Sequence, residues 1–250
     1  MELVVLGSSA AWPDAGRAAA GFLLRHDGFT AALDLGTGTL SNLQRYLPHE
    51  RLDAVLITHE HLDHCLDLYP LTVARSLHPE PLKPLPLIAP VGVFDRIAAL
   101  EDEEGVAEMR ELFDVRTFEP GQELEVGPLR VTTRLLPHMV PNAGMRIEAD
   151  GKAVVYTGDT GPSEELVALA RDADLVVAEA SWLEPRQDLG PIHLTARQAG
   201  EHAGRAGTAS LLLTHLWPGL DRDRARAEAA EAFHGTLQVA DEGMAVSVGG

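Results

Sequence analysis

Short runs of Val, Leu and Ile recur along the chain between turn signals. The segments ELVVL, FLLRH, TAALDL, DAVLIT, PLPLIA, LRVTTRLL, KAVVYTG, ADLVVAEA and ASLLLTH predict strands. Helical spacing alternates with several of them: TLSNLQRYL after Gly38, CLDLYPLTVARSL after His64, SEELVALARD after Pro162, TARQAGEHAGRAG after Leu194 and DRDRARAEAAEAF after Leu220. Ser163 and Thr195 stand where N-caps belong; Leu166, three residues after Ser163, rules out a capping box there. Residues 121–133 predict two antiparallel strands around Gly127, and residues 77–92 are rich in proline. The stretch PEPLKPLPLIAP reads as a rigid connection, a pocket rim or a subunit contact. The whole predicts an α/β chain of hairpins and crossovers, most simply two sheets with helices on their outer faces.

The 250 residues, 45% of them hydrophobic, suit one domain over residues 1–250. A formal net charge of -18 opposes binding to polyanions, because phosphate-backbone affinity comes chiefly from Lys and Arg. With Cys65 as the single cysteine there is no intramolecular disulfide, and MELVVLGSSA has neither the basic region nor the apolar length of an export signal. No run approaches the ~18 apolar residues of a membrane span. The expectation is a soluble cytoplasmic protein.

Directly after the apolar run LDAVLI comes THEHLDHC, residues 58–65. The strand ends there and the backbone turns into a helix, a place where sites are usually built. Imidazoles and carboxylates are good zinc ligands, and His59 with His61 can reach one ion while Asp63 with His64 reaches a second. Cys65 lies just outside the motif and reads as a small buried hydrophobe. His26, His49, His78, His202 and His234 have no such context and read as solvent-facing or helix-surface residues.

THEHLDH resembles the HxHxDH signature of the metallo-β-lactamase-fold metallohydrolases, whose αββα sandwich has two mixed sheets flanked by helices. The resemblance runs from VLGSSAAWP through LDLGTGT to the last histidine. By the family pattern, LLPHMVPNAGMRIE supplies His138, VVYTGDT the bridging Asp159, and LLLTHLWPG supplies His215. His59, His61, His138 and Asp159 would hold one ion, and Asp63, His64, Asp159 and His215 the other. Asp159 also suits a tight turn after a strand. Asp34 in LDLGTG is either a turn carboxylate or, by resemblance, an acceptor that fixes a ligand imidazole.

GPIHLTARQAGEHA is similar to the HST motif of ribonuclease Z, with Leu194 in place of its serine, and implies a catalytic His193 facing the scissile phosphate. Glu179 in VVAEASW resembles the glutamate of the HEAT motif, although Ala178 replaces its histidine and Ser181 its threonine. The resemblance implies two Zn²⁺, with Mn²⁺ or Fe²⁺ as substitutes, a water activated between them, Asp63 orienting it, and a homodimer. Only 20 residues separate His138 from Asp159, where bacterial ribonuclease Z commonly carries its tRNA-grasping arm. Together with the charge, that favours a phosphodiesterase for a small phosphodiester; HxHLDH also resembles class II cyclic-nucleotide phosphodiesterases. The rivals are tRNA 3′-processing, lactone or thioester hydrolysis, and a non-catalytic metal-binding regulator.

Overall fold

The apolar runs divide between two sheets, and a computed structural model describes residues 1–249. Strands β1 (Glu2–Gly7), β2 (Gly21–His26) and β3 (Phe29–Leu35) form an antiparallel meander. Helix α1 (Thr39–Leu43) leads to β4 (Ala54–Leu56), α2 (Leu62–Cys65) and α3 (Leu68–Ser76) to β5 (Leu85–Pro90), and α4 (Val93–Ala98) and α5 (Glu103–Leu112) to β6 (Phe113–Phe118). Each of these strands lies parallel to the one before it. The second sheet begins with antiparallel β7 (Glu123–Val126), β8 (Leu129–Leu136), β9 (Asn142–Ala149) and β10 (Lys152–Tyr156). It continues through α6 (Glu164–Ala170), β11 (Leu175–Glu179), α7 (Ala196–Ala206), β12 (Ser210–Thr214), α8 (Arg222–Ala230) and β13 (Thr236–Val239) as parallel crossovers. Finally β14 (Ala245–Ser247) returns to pair with β1.

The sheet orders are β14-β1-β2-β3-β4-β5-β6 and β13-β12-β11-β10-β9-β8-β7. Between the sheets lies one apolar layer, with Leu3, Phe22, Leu33, Val131, Tyr156, Val177 and Leu212 buried in it. Leu43, Cys65, Leu68, Val93 and Met109 bring the first five helices onto the outer face of the first sheet; Leu166, Leu169, Ala199, Ala203 and Ala229 bring the last three onto that of the second. The result is the mixed αββα sandwich expected. Strands covered on both faces read as continuous apolar runs, which is why β11 is buried at every position.

Several local expectations change. The rigid connection read across the whole proline-rich stretch holds only before Leu85; from there PLPLIA is the strand expected of it, β5, inside the first sheet between β4 and β6. The single helix expected after His64 is two, because Asp67 N–H donates to Leu35 O at 2.9 Å rather than to a helix carbonyl, its carboxylate accepts from Leu40 N–H at 2.8 Å, and Pro70 then sits in the first turn of α3. His202, expected on a helix surface, is buried: its Nδ1 donates to Gln198 O at 2.7 Å and its Nε2 accepts from Ser163 N–H at 3.2 Å. Ser163 and Thr195 both cap as expected, and Gln198 completes a capping box with Thr195. Among the described residues no helix is long and apolar enough to cross a membrane.

Candidate metal centre

Strand ends deliver the chemistry. His59 and His61 follow β4, Asp63 and His64 occupy the single turn of α2, His138 follows β8, Asp159 follows β10 and His215 follows β12. The segment after β4 is pinned between the sheets, with Ile57 N–H donating to Ile88 O and Ala143 N–H donating to Thr58 O, each at 3.0 Å. Asp34 is the residue bulged out of the β2–β3 ladder, at φ 57°, which turns its carboxylate inward. His215 also has positive φ, 52°, the kind of strain that surrounding structure must hold in place.

The seven side chains form two groups that share Asp159. In the first, His61 Nδ1 lies 3.1 Å from both His59 Nε2 and His138 Nε2, and Asp159 Oδ2 lies 3.9 and 3.7 Å from those two nitrogens. In the second, His64 Nε2 and His215 Nε2 are 3.3 Å apart, with Asp159 Oδ1 at 3.1 and 3.3 Å from them. Asp63 Oδ2 completes that group, 3.2 Å from His215 Nε2. Asp159 thus turns one oxygen to each group.

Hydrogen bonds on the far side of the rings fix which nitrogens face inward. His64 Nδ1 donates to Asp34 Oδ2 at 2.6 Å, His138 Nδ1 to Ile192 O at 3.1 Å, His59 Nδ1 to Thr58 Oγ1 at 3.0 Å and His215 Nδ1 to Ser181 Oγ at 3.0 Å. The inward Nε2 atoms of the neutral rings are then lone pairs facing one another, an arrangement that a cation between them would satisfy. Asp159 Oδ1, buried, makes no aligned hydrogen bond although two ring nitrogens stand close to it. Four ligands around an ion at roughly 2.0–2.1 Å sit about 3.4 Å apart, close to the spacing of both groups. The side chains fit a divalent metal site.

Electrostatics agree. Burial, reinforced by neighbouring imidazoles, holds His59, His61 and His138 below the usual histidine range, so they stand neutral and ready to ligate. Burial also opposes charge on His64, but Asp159, Asp63 and Asp34 outweigh it and raise the ring well above its ordinary value. A cation bound there would displace that proton. Asp63, despite its burial, is held well below the carboxylate range by His64 and His215, and it accepts from Ala11 N–H at 2.8 Å.

Beside the second group, Glu179 is fully buried and links three neighbours. Its Oε1 accepts from Thr160 N–H at 2.6 Å and from His193 Nδ1 at 2.9 Å, while its Oε2 accepts from Ser181 Oγ at 2.6 Å. Burial works against charge on His193, but the Glu179 carboxylate prevails and pushes the ring up to about 9. A cavity of about 190 Å³ opens here, lined in part by His61, His138, His193, Trp182 and Trp217. Cys65 faces away into the helix-covered core, where burial pushes its thiol up to about 12.

All of the sequence-predicted site residues therefore meet in one region. Sequence reasoning passed over Thr58, Tyr156 and the three tryptophans, and it saw Ser181 only as a departure from threonine. Each tryptophan stands within three residues of a site side chain or of a main-chain donor to one, in AAWP, EASW and HLWP. That adjacency was the available signal.

The family described as Beta-lactamase superfamily domain matches residues 31–216. The probable metallo-hydrolase YhfI of Bacillus subtilis is 30% identical over 250 residues, with 98% of each chain covered. Its crystal structure shares this fold at a TM-score of 0.88 and 29% identity, over 98% of this chain and 99% of that one. A ribonuclease Z of Kineococcus radiotolerans is 33% identical over 285 residues, spanning 92% of this chain and 89% of that relative. The short form of human tRNase Z has the same fold at a TM-score of 0.79 and 23% identity, with 99% of both chains covered. On sequence and fold together, the chain belongs to the β-lactamase superfamily and is a metallohydrolase of the metallo-β-lactamase fold.

Proposed function

We propose that this metallohydrolase is a phosphodiesterase holding two Zn²⁺ ions and acting on a small phosphodiester such as a cyclic nucleotide. The observation that carries this reading is His193, held by Glu179 at 2.9 Å on the wall of the cavity that also contains His61, Asp63 and His215. His59, His61, His138 and Asp159 would hold one ion and Asp63, His64, Asp159 and His215 the second. Bound there, the ions would supply a water of lowered pKa and polarise a phosphoryl oxygen.

The protein's own groups do the rest. Asp63, kept ionised, accepts a hydrogen bond from the attacking water and aims it at phosphorus. As the new P–O bond forms and the ester P–O bond breaks, the departing oxygen takes its proton from His193. Glu179 holds Nδ1 of that ring as a donor, leaving Nε2–H as the acid. A thioester, whose departing thiolate is weakly basic, has less use for such a cation, which disfavours it.

Processing of tRNA is the second reading, favoured by the relative named ribonuclease Z. Against it stands the interval between His138 and Asp159, which β9 and β10 fill as a hairpin with only Asp150 and Gly151 between the strands, leaving no room for an arm. The net charge of -18 weighs the same way. The test is hydrolysis of a chromogenic phosphodiester, 3′,5′-cyclic AMP and a precursor tRNA by metal-loaded and chelated protein, with His193→Ala and Asp63→Ala alongside. Metal-dependent turnover of the small substrates, lost in both variants, is expected. Folded, metal-loaded protein inactive on both small substrates would overturn the reading.

A further inference from the structure

The chain has three tryptophans, from three distant segments, and they meet beside the candidate metal centre. Trp12 follows Ala11, whose N–H reaches Asp63; Trp182 follows Ser181; Trp217 lies two residues past His215. The first and last of these loops are tied together by Ala10 N–H to Leu216 O and Leu216 N–H to Ser8 O, each at 3.1 Å. Trp182 lies against Trp217 with ring centroids 4.4 Å apart and planes 36° apart. Trp12 meets Trp217 at 4.8 Å and 81°, so the two rings form a corner with a floor and a wall.

The corner is open. Trp12 is 47% exposed and follows Ala11, which lines the cavity together with Met139 and Leu189, exposed at 64% and 44%. Trp182 and Trp217 wall the 190 Å³ cavity, which is smaller than the ~300–1,000 Å³ of a site that swallows a whole ligand. A phosphodiester inside it must leave the rest of its molecule over the rim. No lysine or arginine is among the described residues lining the cavity, and Arg186, whose guanidinium carbon lies 5.1 Å from the Trp182 ring centroid, is paired with Asp188, so affinity for that remainder comes chiefly from apolar and stacking contact.

We infer that Trp12 and Trp217 form a stacking corner for one planar heterocycle joined to the reacting phosphate, which makes the substrate a mononucleotide phosphodiester. This rests on the phosphodiesterase reading. A ring in the corner lies flat on one indole and edge-on to the other, both favourable aromatic arrangements. Base stacking on an aromatic side chain is worth roughly 5- to 150-fold in affinity and tolerates any base. A single corner holds a single base; a polynucleotide calls for successive platforms along a cationic track.

The test is binding rather than turnover. Isothermal titration of zinc-loaded protein would compare adenosine 5′-monophosphate with ribose 5-phosphate, which carries the same phosphate without the base. Wild type is expected to prefer the nucleotide by tenfold or more. Trp217→Leu and Trp12→Leu should each bring the preference below threefold, with ribose 5-phosphate binding as before in Trp12→Leu, whose side chain does not line the cavity, and Trp217→Phe should keep most of the preference. If Trp217→Leu fails to fold, Trp12→Leu decides, since Trp12 is largely at the surface. A wild-type preference under threefold, or one that survives in every folded leucine variant, would overturn the inference. A protein that shows the preference yet hydrolyses neither the chromogenic phosphodiester nor 3′,5′-cyclic AMP loses the phosphodiesterase reading and keeps the stacking corner.

Discussion

Asp34 Oδ2 lies 2.6 Å from His64 Nδ1 with both side chains fully buried, and the same oxygen accepts from Thr58 Oγ1 and Tyr156 Oη, each at 2.8 Å. The carboxylate fixes the ring so that Nε2 faces Asp159 and His215. Asp34→Asn keeps the shape but weakens the acceptor. Losing such a partner typically costs about 10- to 100-fold in metal affinity. Competition with a chromophoric chelator should show a drop in that range, together with slower turnover; a change under threefold would mean the ring is held by packing alone.

Gly158 precedes Asp159 at φ 55°, a left-handed conformation that glycine adopts freely. A Cβ there would stand 2.3 Å from Asn142 Oδ1 and 2.9 Å from Thr58 Cβ. Asn142 cannot swing away cheaply, because its Nδ2 donates to Thr157 O at 2.9 Å. The backbone strain of Gly158→Ala costs roughly 1–2 kcal/mol before any clash. Urea unfolding at fixed zinc should show a loss of at least about 2 kcal/mol in all. A loss below about 0.5 kcal/mol, within the range of neutral surface changes, would show that the loop yields easily.

How much of this was legible depends on what each element needed from its partners. THEHLDHC was plain because its ligand types crowd a strand end, and fully buried strands such as β10 and β11 announce themselves as apolar runs. The edge strands β6 and β13 were missed: FDVRTF and TLQV carry polar residues on solvated faces. Helix α5 was missed because EEGVAEMREL buries only Met109. His202 looked like a surface residue until the N-terminus of α6 packed over it. The tryptophan corner exists only once the loops after β1 and β12 are bound together, a relationship that no local spacing encodes.

The histidines set opposite pH limits on the metal-free protein. His59, His61 and His138 are depressed by burial, so the unfolded chain binds more protons and stability falls as pH drops below about 6.5. His64 and His193 are raised, against their burial, by neighbouring carboxylates. Their contribution is whole below about 6.5 and is lost as pH climbs through the raised values, about 9 for His193. Chelated protein should therefore be most stable near pH 6.5, and the protection given by zinc should be larger at pH 8.5. Calorimetry on both forms at the two pH values checks it; chelated protein that melts higher at pH 8.5 than at 6.5 would contradict the assignment.

Ser181 hydroxyl donates to Glu179 Oε2 at 2.6 Å and accepts from His215 Nδ1 at 3.0 Å, so one oxygen couples the buried acid to a candidate metal ligand. Ser181→Ala leaves the buried His215 ring N–H without its partner and Glu179 Oε2 with only the long 3.4 Å bond from the residue 181 N–H, and an unmade buried hydrogen bond costs about 1–3 kcal/mol. Part of that cost would be relieved by rotation of the His215 ring, which spoils the orientation of Nε2. Zinc affinity of the second group should fall by roughly tenfold, as for other partners that orient a ligand, and turnover should fall with it. Ser181→Thr restores the hydroxyl and should recover most of both. If alanine and threonine behave alike, the space around residue 181 matters and its hydroxyl does not; if alanine binds zinc as wild type does, His215 is oriented by its strained backbone instead.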